Sequence, residues 1–375
     1  MSIRFDTLVI GAGQAGLATG YQLKKTGLSF ALLEAGSRPT GSWPHYYDSL
    51  TLFSPARFSS LPGMPFPGPP DHYPTRDEVI DYLTSYAERF HFPVITGSRV
   101  ERVSKEGAHF QVVTDRGDHY QARSIIAATG SFHQPYIPHL PGQEAFQGRI
   151  LHAATYRAPE AFREQRVVVV GAGNSAVQNA VELARLAHVT LASRRPIDFR
   201  PQLIGGRDIH FWAWLTGLDR LPLGSWWQQH ARTAVLDTGR YQQAFHDGLL
   251  DQRALFQGFS ADGVTWADGS HEPVETVLFA TGYRPGLHYL QELGALDEDG
   301  HPRQRAGVSL TTPGLSFVGQ EFQRTYASAT LRGVGPDAAR VVAYLHRELR
   351  GESSMLGRTL LQGDWKCCVR PAPSR

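Results

Sequence analysis

The sequence predicts an α/β fold with two parallel-sheet units, on three observations. Two glycine-rich turns, Gly11-Ala12-Gly13-Gln14-Ala15-Gly16 and Gly171-Ala172-Gly173-Asn174-Ser175-Ala176, each follow an apolar run. Those runs, Leu8-Val9-Ile10 and Val167-Val168-Val169-Val170, are continuous rather than alternating, as strands covered on both faces are. Each turn opens onto residues at helical spacing. Strand, glycine turn and helix in that order define a Rossmann-like dinucleotide-binding unit. The chain is therefore expected to hold one such unit in two parts, 1–160 and 277–352, with a second, 161–276, inserted in it and a tail at 353–375.

The 375 residues suffice for two cores. A hydrophobic share of 41% and a charged share of 19% fit a soluble globular protein. A net charge of +2 gives no argument for nucleic acid or an anionic membrane. No apolar run approaches the roughly 18 residues of a membrane span. The N-terminus enters a strand at Asp6-Thr7-Leu8 without a signal-peptide layout, so a cytoplasmic location is expected. The two cysteines are adjacent, Cys367 and Cys368, which excludes a disulfide framework.

In the first unit Gly11 permits the tight turn, Gly13 lets a pyrophosphate approach the backbone, and Gly16 lets helix and strand pack closely. Gln14 and Ala15 open the helix, whose free N–H groups and dipole favour phosphate. The strand Phe30-Ala31-Leu32-Leu33 ends in Glu34, which can hold a ribose 2′-hydroxyl and would repel a 2′-phosphate, so this site suits FAD or NAD. Gly41-Ser42-Trp43 follows, where Trp43 is either a core ring or a ring beside a flavin. Residues 49–70 form a proline-rich loop too apolar for disorder. Thr75-Arg76-Asp77-Glu78 is a capping box ahead of a scaffold helix. Val100 at the head of a later strand, Thr129 and Gly130 after Ile125-Ile126-Ala127-Ala128, and Gly319 after Leu315-Ser316-Phe317-Val318 complete the expected cofactor contacts.

In the second unit Gly171 and Gly173 repeat the turn, and Asn174 and Ser175 stand ready for a second pyrophosphate. Its next strand, Val189-Thr190-Leu191-Ala192, ends in Ser193-Arg194-Arg195 with no acid. A hydroxyl and two guanidiniums suit a ribose 2′-phosphate, hence NADPH; the plainer reading is a solvated basic surface. Residues 201–256 look like a helical insertion crowded with Phe211, Trp212, Trp214, Leu215, Leu218, Leu221, Trp226 and Trp227. Core or lid packing is preferred there over a membrane-touching surface or a substrate mouth. Val277-Leu278-Phe279-Ala280-Thr281-Gly282 echoes Ile125 to Gly130 and is expected to return the chain to the first unit, bringing Thr281 and Gly282 to its cofactor. Gly335-Pro336 is expected to open the last helix, with Pro at its first position.

Between the two turns, Phe146, Gly148, His152 and Tyr156 complete an FxGxxxHxxxY pattern, and Phe279-Ala280-Thr281-Gly282-Tyr283 an FATGY pattern. With Leu61-Pro62-Gly63-Met64-Pro65-Phe66-Pro67, they make residues 5–350 resemble the class B flavin-dependent monooxygenases. The likeness is to flavin-containing monooxygenases, especially the plant auxin-forming enzymes and short bacterial relatives. The resemblance implies FAD, NADPH and O2 as cofactors and co-substrate. It implies a C4a-hydroperoxyflavin that passes oxygen to a soft nucleophile, a thioether sulfur or an amine nitrogen of a small molecule. Tyr156 stands where Baeyer–Villiger enzymes carry Trp, which points to the heteroatom branch. Many relatives place an asparagine near the flavin where this chain has Phe53 and Ser54, the flavin-proximal candidates. No acid–base residue and no metal site is assigned. His152 is expected to fix the joint by hydrogen bonding rather than move protons. No nucleic acid and no membrane span are expected among its partners, and a homodimer is allowed. Three alternatives stay open: an uncoupled NADPH oxidase, a disulfide reductase-like flavoprotein, and a non-enzymatic redox sensor. A disulfide reductase needs an inner cysteine pair, and no cysteine precedes Cys367.

Overall fold

The strand Ile3–Ile10 is buried from Thr7 onward because it is central, pairing in parallel with Phe30–Leu33 on one side and His119–Ala127 on the other. The protein, described by a computed structural model over residues 3–352 apart from 133 and 231–233, builds two main sheets. The tail with Cys367 and Cys368 lies outside the described residues.

The first sheet has nine strands. Val94–Ile95 extends it beyond Phe30–Leu33, while Leu315–Phe317 pairs in parallel on the far side of His119–Ala127. Val100–Glu106 and His109–Thr114 form an antiparallel arm on the same strand. Alternation divides the sheet's side chains between two cores. Val9, Leu32, Ile126 and Val318 pack against the helices Gln14–Leu23, Arg76–Phe90 and Leu331–Leu349. Leu8, Leu33, Ile125 and Phe317 face Val103, Phe110 and Leu290. The capping box at Thr75 is present in full.

The second sheet has five parallel strands in the order Asp251–Ala254, His188–Ser193, Arg166–Val170, Thr276–Phe279, Arg149–His152. The run at 277, expected to return the chain to the first unit, therefore belongs to the second. Its side chains explain why: Leu278 enters one core with Val169 and Val177, while Val277 and Phe279 enter the other with Val168 and Trp266. A strand buried on both faces needs a central position, and the gap beside Arg166–Val170 supplies it. The chain has also already crossed into this sheet at Arg149–His152. The crossings run side by side, since Tyr283–Arg284 pairs antiparallel with Gln134–Pro135.

Two further expectations are corrected. The aromatic insertion packs only in part: Phe211 and Trp227 are half-buried, but Trp212, Trp214 and Trp226 remain 37, 49 and 49% exposed, and Leu215, Leu218 and Leu221 are exposed with them. The helix Ile209–Thr216 is apolar almost all round, and a helix lying on a surface can bury only one stripe. The last helix begins a turn early, at Leu331, because Thr330 caps it by accepting from the Gly333 N–H. Pro336 thus falls inside the helix rather than at its first position, and forgoes the bond its N–H would have made to the carbonyl of Arg332.

Candidate functional site

The first glycine turn is pressed into its surroundings so closely that side chains cannot fit. A Cβ on Gly11, whose φ is +99°, would lie 2.8 Å from the Ala128 carbonyl oxygen and 3.2 Å from the Thr129 Cα. One on Gly16 would lie 1.9 Å from the Gly11 carbonyl oxygen. Gly13 meets Gly41 at 3.3 Å by the same measure, and Gly319, at φ +88°, meets the Ala15 methyl at 2.6 Å. Gln14 ties the cluster together, donating to the Ala329 carbonyl at 2.6 Å and accepting from the Trp43 indole at 3.2 Å. The structure therefore brings Gly11 to Gly16, Gly41 to Trp43, Thr129 and Gly319 to one place.

Glu34 is buried at the end of its strand. It accepts from the Ala12 N–H at 2.7 Å and the Gly36 N–H at 2.9 Å, so the carboxylate braces the turn and keeps two further lone-pair sites. Val100 is buried nearby, two residues past Ser98, whose N–H donates to the Glu34 carbonyl at 2.8 Å. Thr129 shares a 3.3 Å hydrogen bond with the Tyr289 hydroxyl, and Gly130, at φ +73°, has open space where a Cβ would be. Buried Gln320 accepts from Ser131 at 3.4 Å while its amide nitrogen has no partner among the described residues. An unpaired buried donor at the rim of a backbone cradle is what a bound polar ring would satisfy, so these residues fit a flavin dinucleotide.

The second turn repeats the first. Gly11 N–H donates to Leu33 O at 2.7 Å and Ala128 N–H to Ile10 O at 2.8 Å; Gly171 N–H donates to Ala192 O at 3.0 Å and Ala280 N–H to Val170 O at 2.8 Å. A Cβ on Gly171 would lie 2.6 Å from the Ala280 carbonyl oxygen. Thr281 and Gly282 thus sit beside the second turn, not the first as expected, and the Thr281 hydroxyl donates to the Tyr136 carbonyl. Gly173 stands before the helix Asn174–Leu183, the Asn174 side-chain oxygen is buried without a partner among the described residues, and Ser175 is exposed in the first turn. Ser193 is buried and donates to the Arg195 carbonyl at 2.7 Å. Arg194 and Arg195 are exposed, and neither has a carboxylate partner among the described residues. Two exposed guanidiniums without a carboxylate, and an amide oxygen without a donor, among the described residues fit a phosphorylated nicotinamide dinucleotide.

The joint between the cradles is built from the FxGxxxHxxxY residues. His152 Nδ1 accepts from the Ala154 N–H at 3.0 Å, so its Nε2 carries the proton and donates to the Gly282 carbonyl at 2.9 Å. Both ring nitrogens are used, and burial holds the pKa below the ordinary value despite the bond to Gly282. Tyr156 is buried with its hydroxyl on Glu182 at 2.8 Å, and Phe146 fills the space above Gly148. Tyr47 crosses from the first unit to bond Gln178.

Phe53 is 41% exposed and stacks on His210. Ser54 is buried and bonded to Ser59 at 2.9 Å, so of the two flavin-proximal candidates only Phe53 presents a surface. Gln320, Tyr73, Gln202, Asp208 and His210 are polar groups that sequence reasoning passed over. Only Asp208 had a signal, an acid directly before an apolar helical run. Among the described residues no group of three His, Cys, Asp or Glu side chains is placed to hold a metal, and no helix is long and apolar enough to cross a membrane.

The family profile described as pyridine nucleotide-disulphide oxidoreductase matches residues 8–202. An uncharacterised CzcO-like oxidoreductase of Geobacillus kaustophilus is 36% identical, covering 90% of this chain and 97% of its own. The indole-3-pyruvate monooxygenase YUCCA4 of Oryza sativa is 29% identical over 89% of this chain and 86% of its own. The structure of a flavin-containing monooxygenase from Stenotrophomonas maltophilia superposes with a TM-score of 0.80 at 33% identity, covering 94% of this chain and all of that one. The chain belongs to the class B flavin-dependent monooxygenases, within the pyridine nucleotide-disulphide oxidoreductase family. As a flavin monooxygenase it is an NADPH-dependent oxidoreductase, and its cofactors are FAD and NADPH.

Two outcomes follow for this flavin monooxygenase. Gly319→Val, which drives a side chain into Ala15 at a positive φ, should purify with several-fold less bound flavin, measured as the ratio of absorbance at the flavin band to that of the protein. His152 is held neutral with a lowered pKa. Its share of stability is therefore complete above the unfolded value of about 6.5 and drains as pH falls below it, at no more than about 1.4 kcal/mol per pH unit. Urea midpoints measured from neutral to mildly acidic pH should fall less steeply in His152→Gln than in the wild type.

Proposed function

We propose that this enzyme inserts one atom of O2 into a soft nucleophile of a small molecule, a thioether sulfur or an amine nitrogen. FAD lies in the first cradle and NADPH in the second. The observation that carries the reading is the repetition: two turns with the same backbone contacts, each flanked by its own Ala-Thr-Gly strand end, meeting at a joint that His152 closes. Flavin reduced by NADPH supplies the O2-activating chemistry. The protein's part is to bind, orient and exclude water.

In this assignment the N–H groups from Gly13 to Ala15 and the helix end behind them take the FAD pyrophosphate, while those of Gly11 and Ala12 hold the turn itself on Leu33 and Glu34. Glu34 and Val100 hold its adenosine end. Trp43, Thr129 and Gln320 border its ring, and Gly41, Ser42, Gly130 and Gly319 allow the close approach. Gly173, Asn174 and Ser175 take the NADPH pyrophosphate, Gly171 makes the turn that lets it approach, Thr281 and Gly282 flank it, and Arg194 and Arg195 fork onto the 2′-phosphate. Ser193 sets the start of that loop. The FAD unit then comprises about 3–148 and 283–352 and the NADPH unit about 149–282, as the strand pairing supports. A cytoplasmic enzyme fits the absence of a spanning helix among the described residues. A second reading, oxygenation of an aromatic 2-oxo acid, draws support from the 29% identity to an indole-3-pyruvate monooxygenase. An inner-disulfide reductase has no cysteine to use before Cys367.

Incubation with NADPH, O2 and methyl p-tolyl sulfide should give sulfoxide in proportion to NADPH consumed. Phenylpyruvate in place of the sulfide tests the second reading by release of CO2. Hydrogen peroxide equal to the NADPH consumed, with either compound, would refute both. Arg194→Ala should raise KM for NADPH roughly tenfold, the loss of one charge-assisted phosphate contact, and leave KM for NADH nearly unchanged. Equal changes would remove the phosphate contact from Arg194.

A further inference from the structure

The proline-rich loop is gripped from the second unit by one carboxylate. Asp208, buried at the start of the helix Ile209–Thr216, accepts four hydrogen bonds. The His210 N–H reaches Oδ1 at 2.8 Å and the His210 Nδ1 reaches it at 2.6 Å. The Tyr73 hydroxyl reaches Oδ2 at 2.5 Å and the Gln202 amide at 3.3 Å. Burial alone would raise this carboxyl's pKa, but the bonds from His210 and Tyr73 outweigh it and hold it below the ordinary range, so it is the anion that accepts. His210 therefore donates from Nδ1, and its ring is fixed.

What the carboxylate fixes bears on Phe53. The same Gln202 amide donates to the Phe53 carbonyl at 2.8 Å. The His210 ring, 4% exposed, stacks on the Phe53 ring at 5.8 Å between centroids and 24° between planes, with Phe58 at 6.5 Å. Tyr73 lies on the returning limb of the loop, which is laced to the outgoing limb by Leu52 N–H to Pro74 O at 2.8 Å and Ala56 N–H to His72 O at 2.7 Å. Asp208 thus reaches both limbs: one through Tyr73, the other through Gln202 and His210.

We propose that Asp208 is a positioning residue that, through His210 and Gln202, holds the Phe53 ring in one place at the site and so limits the access of water to it. The inference rests on the reading that Phe53 borders the flavin. A buried anion with four donors is a rigid anchor, because releasing any donor leaves a polar group unpaired away from water. A ring held this way shields by packing, as an aromatic wall.

The test compares the FAD-loaded wild type with Asp208→Ala and with Tyr73→Phe, which removes one donor and leaves the helix cap intact. Amide hydrogen exchange over residues 50–60 should quicken at least tenfold in Asp208→Ala and by a smaller factor in Tyr73→Phe, with exchange in residues 14–23 unchanged. Iodide quenching of the flavin fluorescence should rise at least twofold in Asp208→Ala. His210→Phe, which can keep the stacking, should quench like the wild type, whereas His210→Ala should resemble Asp208→Ala. Loop exchange unchanged in both Asp208→Ala and Tyr73→Phe would overturn the anchor. Faster loop exchange without increased quenching would overturn the shielding role. A wild type that turns all its NADPH into peroxide would instead refute the proposed function, and both readouts would still decide the anchor.

Discussion

Everything in this molecule hangs on backbone lying against backbone where a strand ends and a glycine turn begins. At Gly11 and again at Gly171 the turn touches the carbonyl just past the end of a neighbouring strand, at distances where a methyl group would collide. That contact fixes which strands can be neighbours. Ile3–Ile10 must lie beside His119–Ala127, and Arg166–Val170 beside Thr276–Phe279. It also sets the helix end that follows each turn where its free N–H groups can meet phosphate. The apolar cores on both faces of each sheet serve to hold these turns in register.

Much of this was legible in the sequence, for a local reason. A glycine turn between a buried strand and a helix is written in about a dozen consecutive residues, so both cradles and Glu34 were visible without knowing the fold. The capping box at Thr75 is equally local. What failed was long-range. Nothing near Val277 says which sheet it joins, because the decision rests on the gap beside Arg166–Val170. The start of the last helix was misplaced because the cap at Thr330 precedes a Gly-Pro pair that looks like a beginning. The aromatic run at 209–227 reads as core by composition, yet its residues follow one another too closely for one helix face to hide them.

The polar residues around Phe53 were the least visible. Asp208, His210, Gln202 and Tyr73 come from two limbs of chain that meet only in the folded state, and each alone is an ordinary residue type. His152 shows the opposite case. Its place in a recognisable pattern marked it early, and the structure gives it the work of a tie between Ala154 and Gly282. Conspicuous spacing here belongs to the architecture, while the groups around Phe53 carry no pattern at all.

The paired crossings, Gln134–Pro135 beside Tyr283–Arg284, have an evolutionary corollary. A module whose way in and way out are adjacent can be spliced into a host, exchanged or trimmed by a single recombination without tearing the sheet that receives it. The host strands on either side need only a short bridge to close over the cut. Two ancestral units of like design could therefore have been nested rather than strung end to end, which would account for the same turn recurring inside its own echo.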